Sequence, residues 1–486
     1  MIALDPALEE RAVEQNAPAA LIARLERIPV WSLPTLFIGV IGLGFLFTFY
    51  DIFDINVSFI QTCMAVIHGC TPPTAGEHIG LPVLLNLVGY VVGALILCPL
   101  SDRFGRRDML LATMLLTGVG SILTAAVGSY GWFVFARALT GVGIGADLAI
   151  VNTYINEMAP RRGRARYASV IFIFSALGAL VGIWLGLLLT TPPTPLPLGL
   201  PFALAGPQFA YGWRVMYAAG GLLALVGVLL RFQLPESPRW LIARGRNGEA
   251  ADVIAAMEAR ARLSRELEPP AVAMVRAPAS AAAGSPYREI LGDPLYRGRI
   301  FVLLAMWFAS YVTIYAFSAG FTTVLASLAY PPPEAGLITA IGAIGFLFSA
   351  LAAAAWGDRL ERKSWLPIAA ALTLLGALIV ALAGNALWMS VLGSLVIFFG
   401  FNLWVPIAYA WSSECFPTRA RTTGFGLVDG LGHLGGGVGL VVIAPMIPTL
   451  GPLRGLLLIS GFLVVAAAVA QFGVRGRARA LDELSP

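Results

Sequence analysis

The chain has 486 residues, of which 58% are hydrophobic and only 12% charged. That is too apolar for a soluble domain, where charged residues approach about a quarter. Its formal charge of +5 does not call for nucleic acid, because the basic residues fall in short loops between apolar runs.

Residues 1–33 are polar and hold no short apolar core with a small-residue cleavage site, so no cleavable signal peptide is expected. Within them, 5–28 reads either as an amphipathic helix lying on the membrane surface or as a frayed tail. A spanning helix needs roughly 20 apolar residues. Six such runs follow in a first bundle over 34–232, at 34–61, 81–100, 109–128, 131–157, 167–190 and 213–232. The first carries Asp51 and Asp54, three apart and hence on one face. Two carboxylates on one face in a low-dielectric site cannot both ionise cheaply, which suits a proton site; the plainer alternative is an interfacial helix cap. Cys63 and Cys70 lie in the first outer loop, where a disulfide is chemically open. After the second span stands Asp102-Arg103-Phe-Gly105-Arg106-Arg107. The fourth span carries Arg137, a Gly141-x-Gly-x-Gly145 stripe that permits close helix contact, Asp147 and Asn152. Asp147 is open to proton relay, substrate contact or a salt bridge to Arg137, although ten residues, nearly three turns, along one helix disfavour direct pairing. That span ends in Asn156-Glu157-Met-Ala-Pro-Arg161, with Arg164 beyond, and the sixth is followed by Pro235-Glu236-Ser-Pro-Arg239-Trp-Leu241.

The central loop, 233–298, holds a helical stretch at 248–264 and an Ala/Pro/Ser-rich linker at 267–286, and reads as a tether that supports a gate. A second bundle over 299–473 contains runs at 299–326, 335–356, 365–384, 386–411, 422–446 and 452–473, before a tail at 474–486. Its seventh and tenth spans carry Trp307, Tyr311, Tyr315, Asn402 and Trp404, suited to stacking on a ring-bearing ligand or simply to packing. The eighth span leads to Gly357-Asp358-Arg359-Leu-Glu-Arg362-Lys363, and the tenth to Ser413-Glu414-Cys-Phe-Pro417 with Arg419 and Arg421. Each half thus repeats an acid-plus-arginine cluster at two equivalent corners, the kind of ion-pair latch that closes in one conformation and releases in another. The eleventh span carries Asp429 and His433, one turn apart and able to touch; an intramembrane His of this kind is either functional or a packing hydrogen-bonder. The arginine asymmetry of the loops puts both termini and the central loop in the cytoplasm.

Asp102-Arg-Phe-Gly-Arg-Arg107 resembles the signature loop of the major facilitator superfamily. Arg137-Ala-Leu-Thr-Gly-Val-Gly-Ile-Gly145 and Pro235-Glu-Ser-Pro-Arg-Trp-Leu241 are similar to segments of its sugar-porter and organic-ion branches. Asp51-Ile-Phe-Asp54 and Tyr409–Gly437 are closer to the niacin-type, aromatic-acid and organic-ion carriers, and the sugar porters' C-terminal and seventh-helix patterns are missing. The resemblance implies an all-α polytopic membrane protein with twelve transmembrane helices in two six-helix bundles, multi-pass in the bacterial inner membrane. It implies that Arg137 is the counter-ion of the first-helix acids and that the ionisable helices line a central cavity. The expected activity is proton-coupled symport of a small organic metabolite by alternating access. The proton gradient would supply energy, with no cofactor, no metal and no nucleic acid, in a monomer whose partners are its substrate, protons and the lipid bilayer. Alternatives are a proton-driven exporter, which usually lacks the Pro-Glu-Ser-Pro-Arg segment, and a non-transporting receptor or scaffold, against which both sets of intact latches speak. The sequence shows no nucleophile elbow, Walker lysine loop or metal-ligand spacing, so an enzyme is the poorest reading.

Overall fold

In the computed structural model the described residues are 18–71, 78–160, 164–206, 209–269, 285–328, 330–384, 386–443, 446–477 and 484–485. Twelve of their helices are long and apolar enough to cross a membrane: Leu36–Val66, Gly80–Phe104, Arg106–Ala126, Tyr130–Met158, Arg166–Thr190 and Gly212–Arg231, then Pro294–Ser318, Pro333–Trp356, Arg362–Leu382, Leu387–Glu414, Thr418–Ile443 and Thr449–Ala470. They are called the first to twelfth spans below. The first outlasts its apolar run by one turn, so Cys63 sits inside a helix rather than in a loop, and it is disulfide-bonded to Cys70. The seventh stops at Ser318, short of the expected 326, and a separate short helix, Phe321–Ser327, follows.

Several spans of the second half are interrupted, the twelfth near its start at Gly451, whose φ is 74°. The eighth breaks between Gly342 and Ile344, the tenth at Trp404 and the eleventh at His433, beyond which it ends in a π-helical turn, Gly439–Ile443. Pro406 cannot donate a backbone hydrogen bond to the turn before it, which accounts for the break at Trp404. Gly435, Gly436 and Gly437 weaken the helix just after His433. Backbone freed from regular hydrogen bonding inside a membrane needs protein around it, and the breaks of the eighth, tenth and eleventh spans are buried.

The second and fourth spans approach closely because glycines alternate between them. A methyl group on Gly89 or Gly93 would run into the carbonyls of Ala138 or Val142, and one on Gly141 or Gly145 into those of Asn86 or Tyr90. This contact fixes where Tyr90 stands.

At the arginine-rich end, Ser237 caps the short helix Pro238–Ala243 by accepting from the Trp240 N–H at 3.3 Å. The helix Asn247–Arg262 follows. Residues 18–26 are helical and dock on this loop helix. Arg24 and Arg27 both pair with Glu258, at 2.9 and 2.6 Å, while Ile22 and Leu25 are buried beneath them. Glu26 pairs with Arg239. Burial alone would push the Glu258 carboxyl up, but the two guanidinium groups outweigh it and hold the carboxyl below its ordinary value.

Candidate functional site

In the first half, Asp51, Asp54 and Arg137 come together inside the bundle. Arg137 Nη1 lies 3.3 Å from Asp51 Oδ2 and 3.5 Å from Asp54 Oδ1, and its Nη2 donates to the Asp51 carbonyl at 2.8 Å. All three side chains are buried, and the guanidinium lies over the Tyr217 ring at 5.5 Å. Ser121 of the third span donates a hydrogen bond to Asp51. No side-chain hydroxyl among the described residues donates to Asp54. Two carboxylates facing one guanidinium leave a formal charge of −1 in a desolvated place, which one added proton neutralises.

Asp147 is not part of this group. It pairs with Arg231 at the end of the sixth span, with Nη2 to Oδ2 at 3.1 Å and a shorter Nη1 contact to Oδ1, and both side chains are fully buried. Thr113 donates to it at 3.0 Å and Thr48 at 3.4 Å. The salt bridge to Arg137 weighed from the sequence does not form; Arg137 pairs with the first-span acids and Arg231 is the partner of Asp147.

In the second half, Asp429 is completely buried and takes two phenols at 2.5 Å: Tyr90 on Oδ2, from the other half, and Tyr311 on Oδ1. Tyr311 also shares a hydrogen bond with Tyr409 at 2.9 Å. The His433 ring lies between these two tyrosines, 3.7 Å from the centroid of each, tilted by 24° to Tyr90 and 35° to Tyr311. Its Nδ1 is 2.7 Å from the Asp429 carbonyl, a helical i,i+4 contact, and 3.8 Å from the carboxylate. Trp307 stacks on Tyr311 at 5.1 Å, meets Trp404 at 5.0 Å, and donates through Nε1 to Ser412 at 3.0 Å. Tyr315 approaches Tyr311 at 5.9 Å and His433 at 5.7 Å. The aromatic side chains flagged in the seventh and tenth spans therefore gather around Asp429 and His433.

The two asparagines singled out in the sequence have partners within the protein. Asn152 donates to the Leu148 carbonyl of its own helix at 2.7 Å, and Asn402 donates to Ser349 at 2.8 Å, tying the tenth span to the eighth. Both are buried.

The acid-plus-arginine corners join the halves. Asp102 takes the backbone N–H and the hydroxyl of Thr423 at 2.8 and 2.6 Å, at the start of the helix Arg421–Gly432, and pairs with Arg106 at 3.0 Å. Arg106 continues to Glu157 at 3.2 Å and to the Thr418 carbonyl at 2.9 Å, while Arg421 reaches Glu157 at 3.2 Å. Glu236 accepts from the backbone N–H groups of Arg106 and Arg107 at 3.0 and 3.2 Å, pressed against Gly105, whose φ of 119° suits a glycine. Burial pushes the Glu236 carboxyl above its ordinary value. In the second half Asp358 accepts from the Arg166 N–H at 3.2 Å, near the start of the fifth span, and pairs with Arg362 at 2.8 Å; Arg362 is 3.5 Å from Glu414. Each half's acid thus reaches the amino end of the other half's fifth helix, where backbone donors are free and the helix dipole favours negative charge. Asn156 also reaches Ser413 across the seam. Arg419 pairs with Glu289, whereas Arg103 and Arg359 are exposed. Arg161 and the Arg164 side chain lie outside the described residues. Toward the opposite end Asn56 donates to the Ser318 carbonyl at 2.6 Å, so contacts between the halves occur at both ends.

The pattern of the sugar (and other) transporter family matches residues 36–476. The chain belongs to that family, within the major facilitator superfamily. Among curated relatives it is 25% identical over 427 residues to the niacin transporter NiaP of Acinetobacter baylyi, covering 88% of this chain and 90% of that one. It is 27% identical over 416 residues to the 4-hydroxybenzoate transporter PcaK of Pseudomonas aeruginosa, covering 84% and 86%. The proton:xylose symporter XylE of E. coli, solved with 6-bromo-6-deoxy-D-glucose, superposes with a TM-score of 0.72 at 20% identity, covering 93% of this chain and 98% of that one. This family member is therefore a transporter with the superfamily fold, a multi-pass inner-membrane protein and not an enzyme.

Two site residues of this transporter escaped the sequence. Arg231 sits at a span end, where arginine is unremarkable, and nothing local shows that it turns inward. Tyr90 is one aromatic in an apolar run, and only the glycine contact with the fourth span, legible in Gly89 and Gly93, could have placed it.

Proposed function

We propose that this transporter is a proton-coupled symporter that carries a small ring-bearing metabolite inward by alternating access. The observation that carries the reading is the buried group of Asp51, Asp54 and Arg137, with its formal charge of −1. Charge this deep in a membrane protein is costly unless neutralised, so a proton there has a structural reason to bind and to leave when the surroundings become wet. Arg137 acts as the counter-ion, Asp54 as the proton carrier and Asp51 as its anchored neighbour. The proton gradient is the energy source and no cofactor takes part. The loop arginines favour a cytoplasmic face for the latched end and both termini. Aromatic side chains around Asp429 support a ring-shaped cargo, in keeping with the ring compounds for which NiaP and PcaK are named.

The test uses proteoliposomes with an inward proton gradient and a panel of niacin-like rings, aromatic acids, phenols and sugars. The expected result is accumulation of one ring class that Asp54→Asn abolishes while exchange of labelled for unlabelled cargo persists. Accumulation unchanged in both Asp51→Asn and Asp54→Asn would overturn proton coupling through this group.

A further inference from the structure

Tyr90 is the residue of the first half that stacks on His433 and donates to Asp429. Its ring lies flat against His433 at 3.7 Å and 24°, and its hydroxyl points at a carboxylate oxygen of Asp429 at 2.5 Å. The Tyr90 side chain is a planar ring with one O–H donor, held by a stacking partner on its face and an anionic acceptor at its tip. On the other side of His433, Tyr311 repeats the arrangement from within the second half and is fixed further by Tyr409. Of the two rings that flank His433, Tyr90 comes from the first half and Tyr311 from the second, so the Tyr90 side of the clamp is parted when the halves separate. Asp429 Oδ2 and one face of His433 then lose their partner while remaining surrounded by aromatic side chains. A desolvated carboxylate without a donor is costly, so the vacated slot selects a molecule that replaces both the ring and the donor.

We propose that Tyr90 occupies the cargo's place in the closed molecule, and that the cargo is a planar aromatic or heteroaromatic ring bearing an O–H or N–H donor, read by Asp429 and stacked on His433. Displacement of Tyr90 by cargo then couples binding to separation of the halves: cargo and Tyr90 compete for one acceptor, and the winner decides whether this contact bridges the seam. A ring that lacks the donor pays for an unpaired buried carboxylate, which is how a polar site rejects a close analogue. The inference rests on the symport reading only in placing the cargo between the halves, and it is tested by binding, without any gradient.

Purified protein in detergent is titrated by calorimetry with 4-methylphenol, 4-methylaniline, the methyl ether 4-methylanisole and the non-planar 4-methylcyclohexanol. The phenol and the aniline should bind about tenfold or more tightly than the methyl ether and the saturated ring, as expected for a charge-assisted hydrogen bond. Tyr90→Phe keeps the stacked ring but removes the competing hydroxyl, so it should tighten the phenol severalfold. Asp429→Asn should bring the phenol-to-ether ratio toward unity, with melting curves confirming that both variants fold. Equal binding of phenol and ether, no binding by any of the four, or a Tyr90→Phe variant that does not tighten the phenol would overturn the inference. Proton-driven uptake and the Asp54 variant judge the symport reading separately, so either can fail alone.

Discussion

Arg231 shows how one side chain can be decisive and yet hard to see. Its position closes an apolar run, but its guanidinium is fully buried against Asp147, and its Nη1 also donates to the Leu110 carbonyl at 2.8 Å. Removing one partner of such a pair leaves an uncompensated charge and costs about 3–5 kcal/mol. Arg231→Met should therefore lower the melting temperature strongly, and a second change, Asp147→Asn, should recover most of the loss; if the double variant is no more stable than the single one, the pair is not what holds this corner. The residues legible in the sequence were those whose charge is out of place in hydrocarbon, namely Asp51, Asp54, Arg137, Asp147, Asp429 and His433. Their partners were harder to read, because Ser121, Tyr217, Tyr90 and Arg231 are each ordinary where they stand. Asn152 and Asn402 show a further limit: a polar residue inside a span that meets a nearby carbonyl or hydroxyl looks the same in sequence as one awaiting a ligand.

Among elements, the pairing of the second and fourth spans depends on glycine at each point of contact. Gly145→Ala would push a methyl group into the Tyr90 carbonyl and displace the span that carries Tyr90, with an overpacking cost of about 1–3 kcal/mol. The expected outcome is a lower melting temperature together with weaker selection for donor-bearing rings. Gly128→Ala, with nothing within 4 Å of the added carbon, should match the parent and serves as the control. Hydropathy alone located all twelve spans, since length and apolarity are what the bilayer demands. Interruptions at Trp404 and His433 were not read from it, because a break costs nothing in hydropathy when the residues around it stay apolar. Pro406 and the glycines after His433 were the local signs, and both breaks fall at residues of the aromatic group.

For the molecule as a whole, the closed arginine-rich end is held by two exchanged caps, Asp102 on the helix that begins near Thr423 and Asp358 on the one that begins near Arg166. Replacing both acids with alanine should loosen this end more than either change alone. Cys415, buried at the end of the tenth span, provides a native reporter: its labelling by a small thiol reagent should speed up severalfold in the double variant. The docked segment 18–26 adds a pH-dependent element. Because Glu258 is held below its ordinary value, its ion pairs stabilise the docked helix at all pH values above the ordinary glutamate range and lose that contribution as pH falls through the depressed value. Hydrogen exchange of 18–26 should therefore be slow at pH 7 after correction for intrinsic rates, and its protection should fall only at strongly acidic pH; Glu258→Gln should remove that protection at pH 7. The sequence carried the repeat of acid and arginine at these corners, whereas the exchange of caps between halves emerged only when the helices were seen together. At the centre of the assembly the tryptophans carry one more consequence. Trp307 and Trp404 lie 5.0 Å apart with their rings inclined by 32°, close enough for their electronic transitions to mix. The molecule therefore holds a built-in optical couplet beside the Tyr311 ring, detectable by near-ultraviolet circular dichroism without any label, and Trp404→Phe should extinguish it.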